Sequence, residues 1–153
     1  MVYAVISEVD KNALAMQFLQ SKRIPEQNLC PMSNLNGLVR ILSRGDTVWV
    51  LDVDRFGSVI LFWEFYQVCR QRGVMLKFFA NPYLNLGQDG KLKSSCEKFI
   101  YYLISLEKKL SADICGTFKN IDASKVQRYA GHIVVNTLAE VFCTEGIMKR
   151  TSS

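Results

Sequence analysis

Two places in the chain put reactive side chains where a fold could hold them. Ser7 directly follows the apolar run Val2-Tyr3-Ala4-Val5-Ile6, and Asp52, Asp54 and Arg55 follow a second run, Thr47-Val48-Trp49-Val50-Leu51. A serine hydroxyl is a poor nucleophile until a base or preorganised cations activate it. A guanidinium stays charged and can grip oxyanions through two hydrogen bonds. Each group also has a structural alternative. Serines after strand ends commonly cap turns, and Asp54-Arg55 suits an ion pair beside a helix cap at Gly57-Ser58, so both readings stand.

The elements needed to position these residues are legible from periodicity. Val2 to Ile6 is short and rich in β-branched and aromatic residues, as a buried strand is, and places Ser7 at its C-terminal end. Leu14, Ala15, Phe18 and Leu19 recur at helical spacing, with Pro25 marking the break. Residues 26–36 read as loop with room for a short strand near Leu29, and residues 37–42 as a short helix stopped near Gly45. Thr47 to Leu51 predicts a central strand, Ser58 to Arg72 a helix capped by Gly73, and Val74 to Phe79 a further strand. Strand, helix, strand in this order predicts a βαβ unit of a mostly parallel sheet, whose carboxyl edge is where open α/β folds place their sites.

Beyond the turn-rich residues 87–90, the pattern becomes helical. Cys96, Phe99, Ile100, Leu103, Ile104, Leu106, Leu110 and Ile114 lie on one broad stripe of a helix of about five turns, a suitable partner surface. Asp122 predicts the N-cap of a final helix carrying Val126, Ile133, Val134, Leu138, Val141 and Phe142.

Composition narrows the classes. The 153 residues suit one domain, and 49% apolar against 22% charged residues leaves enough side chain to fill a core. No apolar run reaches the roughly 18 residues that span a bilayer, and no basic leader precedes the first strand, so a cytoplasmic protein without membrane contact is expected. Five dispersed cysteines with no Cys-x-x-Cys pair, and a single histidine, His132, predict no disulfide framework, no zinc site and no cofactor. His132 reads as a packing or surface residue, and Phe62, Trp63, Phe65 and Tyr66 as core or interface. A net charge of +5, without any run of five like charges, is compatible with phosphate-bearing partners without requiring them.

The order of these pieces resembles the catalytic domain of the serine recombinases, the resolvase/invertase family. That family opens on Tyr-x-Arg-x-Ser and later shows Gly-Asp, an apolar strand and Leu-Asp-Arg-Leu-Gly-Arg. Here the matching stretches are Tyr3-Ala4-Val5-Ile6-Ser7 and Gly45 to Ser58, followed by Gln71-Arg72-Gly73-Val74 and by Leu106-Glu107-Lys108. The resemblance covers about residues 2–115, in order. It implies a resolvase-like α/β domain over residues 1–115 with a long helix near 95–115. A C-terminal helix within 121–150 then packs on the domain or on a partner.

Carried over by position, the resemblance implies Ser7 as the nucleophile that attacks a DNA phosphodiester and forms a phosphoseryl link. Arg55 is then the arginine of the Asp-Arg pair, Asp54 its neighbour and Glu107 the acidic residue of the long helix, although Glu107 beside Lys108 also suits a solvated helix face. The implied partners are double-stranded DNA and further copies of the chain along the long helix, in site-specific DNA strand exchange on a mobile element.

The departures are specific. Val5 and Ser58 stand where the family has arginines, and Leu35-Asn36 replaces another, with Arg40 about one turn later. One cationic donor supplies about 2–4 kcal/mol of transition-state stabilisation, so a site keeping only Arg55 predicts weakened or lost cleavage. A catalytically inactive assembly or regulatory domain is the alternative. A third possibility outside the family, a receiver-like or flavodoxin-like domain, draws on Asp52 at a strand end, but Glu8 and Asp10 are not an adjacent acidic pair. No helix-turn-helix for reading a DNA sequence is apparent.

Overall fold

The computed structural model describes residues 1–86, 92–118 and 120–143. Among these residues four strands form one sheet: β1 (Val2–Ile6), β2 (Leu29–Pro31), β3 (Thr47–Val50) and β4 (Met75–Phe78), in the order β2-β1-β3-β4 and all parallel. The central position of β1 and β3 follows from their side chains: Tyr3, Val5, Val48 and Val50 on one face and Ala4 on the other are all buried. The expected mostly parallel sheet is therefore present, and the segment around Leu29 resolves as its short outer strand.

Among the described residues five helices surround it: α1 (Ala13–Ser21), α2 (Leu35–Ile41), α3 (Val59–Arg72), α4 (Ser94–Thr117) and α5 (Ala123–Val141). Their ends obey local chemistry. Asn12 and Ser58 cap α1 and α3 by accepting from Ala15 N and Leu61 N, and Asp122 caps α5 by accepting from Ser124 N. Gly73 ends α3 in the left-handed conformation, with φ of 70°, which costs glycine nothing sterically.

The two faces of the sheet are unequally covered. The larger core joins β1, β3 and β4 to α3, α4 and α5 around Phe56, Phe62, Tyr66, Phe78, Leu103 and Leu138. The aromatic group of α3 lies within it, as expected, and Trp63 stacks on Tyr66 at 4.9 Å. The smaller core, beneath α1, consists of Ala4, Ala15, Leu19 and Leu51 with Phe18 and Trp49 at its margin.

The expected long helix spans 24 residues. Part of its apolar stripe is not left for a partner: Ile100 and Leu103 are fully buried, and α5 lies along α4 within the same chain. Leu106, Tyr101 and Tyr102 remain exposed. The C-terminal helix ends at Val141, and the expected extension over 144–150 and the turn at 87–90 lie outside the described residues. Among the described residues no helix is long and apolar enough to cross a membrane.

Candidate active site

At the carboxyl edge of the sheet, Ser7 leaves β1 in an extended conformation, and the single turn Glu8–Asp10 folds the chain back beneath it. The carboxylate of Asp10, 1% exposed, becomes the centre of a hydrogen-bonded cluster. Its Oδ2 accepts from the Ser7 backbone N at 3.0 Å and from Ser7 Oγ at 3.2 Å. Its Oδ1 accepts from Arg55 Nε at 2.9 Å. Each carboxylate oxygen thus serves a different partner, and through Asp10 the structure brings Ser7 and Arg55 to one point.

Arg55 comes from the turn Val53–Phe56, which follows β3. Asp52 caps that turn by accepting from Asp54 N at 3.1 Å, and Val53 and Phe56 anchor it in the core. The second arm of Arg55 donates from Nη1 to Asp54 Oδ1 at 2.6 Å. Burial alone would lower the basicity of this guanidinium, but its hydrogen bond to Asp10 and the charges of Asp54, Asp10 and Asp52 outweigh that and raise its pKa above the usual arginine value. Three carboxylates, those of Asp10, Asp54 and Asp52, therefore act on the Arg55 guanidinium. A shallow cleft of about 170 Å³ opens onto Asp10, Asp52 and Arg55 between Leu14, Phe18 and Phe79.

Glu107 is engaged elsewhere. It is not on a solvated helix face but 6% exposed, and its two oxygens accept from Ser58 Oγ at 2.5 Å and Val59 N at 2.8 Å. A carboxylate placed there meets the free N–H groups and positive dipole end of α3, where it is favoured. Ser58 accepts from Leu61 N in turn, at 3.3 Å. This centre borders a broader groove of about 850 Å³ between α3, α4 and α5, edged by Lys108 and Arg128. Of the predicted site residues, Ser7, Asp54 and Arg55 form one cluster, and the bonds of Glu107 belong to another.

Val5 is fully buried in the core and Ser58 is buried at the cap of α3, so neither position presents a cation, while Arg40 lies exposed on α2. Asp10, whose sequence position suggests only an acidic group not adjacent to Glu8, is the central residue of the cluster. The spacing Ser7-x-x-Asp10 is a capping-box signal and marks the local half of its role. Its bond to Arg55, 45 positions away, has no sequence signature. Among the described residues no group of three or more His, Cys, Asp or Glu side chains is placed to hold a metal ion.

No protein-family model and no curated protein matches the chain, so its functional reading rests on the residue pattern and this geometry.

Proposed function

We propose that this chain is a resolvase-type domain that takes part in DNA strand exchange as a non-cleaving assembly or regulatory subunit. The observation that carries this is the double commitment of Arg55: one arm is bound to buried Asp10 and another to Asp54. A scissile phosphate would meet a guanidinium already paired on two sides and flanked by the carboxylates of Asp10, Asp52 and Asp54, which weakens its grip on a further anion. The order of elements, the Asp-Arg-Phe-Gly turn after β3 and the long α4 support the resolvase resemblance.

A second reading is active cleavage, favoured by the contact of Ser7 Oγ with Asp10. In it Asp10 accepts the hydroxyl proton as the Oγ–P bond forms, the bond from phosphorus to the leaving sugar oxygen breaks, and that oxygen takes up a proton from solvent water. Incubation with supercoiled DNA, followed by denaturing separation, tests the choice. The proposal expects no covalent adduct from the wild-type chain or from Ser7→Ala, with salt-sensitive retention of duplex DNA. An adduct that forms with wild type and disappears in Ser7→Ala overturns it in favour of catalysis. Absence of both adduct and retention removes the DNA part and leaves assembly alone.

A further inference from the structure

The turn that carries Arg55 is gripped at both ends by the C-terminal helix. At its start, Val53 N donates to Asn81 Oδ1 at 2.8 Å, and Asn81 Nδ2 donates to the carbonyl of Ala139 in α5 at 3.2 Å. Asn81 is fully buried, so it bridges the two elements away from competing water. At its end, Gly57 meets Gly131 of α5: a Cβ on Gly131 would lie 2.6 Å from the Gly57 carbonyl oxygen and 3.0 Å from Ser58 Cβ. Glycine in mid-helix disfavours the helix itself, so its presence here answers to the close backbone approach. Gly131 and Ala139 both lie on the buried face of α5.

We infer that Asn81 and Gly131 are positioning residues for Arg55, and that the docking of α5 is thermodynamically coupled to the pairing of Arg55 with Asp10. The inference rests on the Ser7–Asp10–Arg55 cluster being the functional site, but not on whether that site cleaves DNA. Anything that lifts α5 would release the turn Val53–Phe56 and expose the guanidinium. Coupling of this kind is reciprocal: if α5 steadies the Arg55 turn, the paired Arg55 must steady α5 by the same factor. A purely local packing role for Gly131 carries no such obligation.

Backbone hydrogen exchange on the full chain, with modification of Arg55 by an arginine-selective dicarbonyl, tests both directions. In Gly131→Ala and, independently, in Asn81→Ala, amides of residues 53–58 should exchange about tenfold faster and Arg55 should be modified faster, while β1 and β3 keep their protection. In Arg55→Gln, amides of residues 130–141 should in turn exchange faster by a comparable factor. Unchanged exchange at 53–58 in both Gly131→Ala and Asn81→Ala overturns the inference, as does an undisturbed α5 in Arg55→Gln. A rise shared equally by β1 and β3 means general loosening and also counts against it. None of these readouts uses DNA, so failure here is distinct from failure of the proposed function.

Discussion

Glu107 shows how much depends on a single carboxylate in this molecule. Both of its oxygens are occupied, one by the Ser58 hydroxyl and one by Val59 N, at the start of the helix that contributes most aromatic side chains to the core. Glu107→Ala leaves a buried donor of α3 unsatisfied and should destabilise the fold by about 2–3 kcal/mol in urea titration. Ser58→Ala, which keeps the Glu107–Val59 bond, should cost about 1 kcal/mol. A smaller loss for Glu107→Ala than for Ser58→Ala would contradict this assignment. Cys69 behaves in the opposite way, as a buried group held neutral. Burial pushes its pKa up to about 12, only partly offset by Arg72. The unfolded chain ionises this thiol near 9 while the folded chain keeps it protonated, so stability should fall as pH rises above 9. Cys69→Ser should flatten that part of the stability–pH curve.

Among the elements, α5 is controlled from its first turn. Asp122 accepts from the Ser124 side chain and backbone, which holds its carboxyl below the ordinary value of 3.8, with Arg128 adding a smaller favourable charge. A depressed carboxylate contributes stability above its unfolded pKa and loses it as pH falls through the folded one. Fraying of α5 should therefore set in below about pH 4, seen as faster exchange of amides 123–126, and Asp122→Ala should remove that pH dependence. Such caps were readable in advance: Asp122, Gly73 and the Gly57-Ser58 pair mark their helix ends by residue type alone. Strands β1, β3 and β4 were equally plain from their apolar runs. β2 was not, because three residues ending in an exposed proline, the other two half-buried, carry no alternation to detect. The packing of α5 was also hidden, since an apolar helical stripe looks the same whether its own chain or another covers it.

For the whole molecule, the candidate cluster was legible in its parts and illegible in its connections. Ser7, Asp54 and Arg55 declared themselves by type and by their place after strands, and the sheet does bring them to one edge. Asp10 and Asn81 could not be found that way, because their roles are defined by partners 45 and 58 residues away. The same long-range closure distributes the core unequally between the two sides of the sheet. Among the described residues the core beneath α1 consists of Ala4, Ala15, Leu19 and Leu51, whereas the opposite side holds most of the aromatic rings. Buried apolar area is the main favourable contribution to folding, so the α1 layer should be the first part to open under denaturant.

The two tryptophans happen to be divided between these layers. Trp63 is 9% exposed and stacked on Tyr66 within the large core. Trp49 belongs to the margin of the small one, with the ammonium groups of Lys22 and Lys77 at 4.9 and 5.8 Å from its ring. Each indole therefore acts as an optical gauge of one layer, the first buried against Tyr66 and the second half-buried beneath two ammonium groups, although Arg70 also lies 5.7 Å from the Trp63 ring. Trp63→Phe should leave red-shifted emission that changes at low denaturant, and Trp49→Phe blue-shifted emission that changes only with the main transition. Coincident transitions would mean that the two sides of the sheet unfold as one unit.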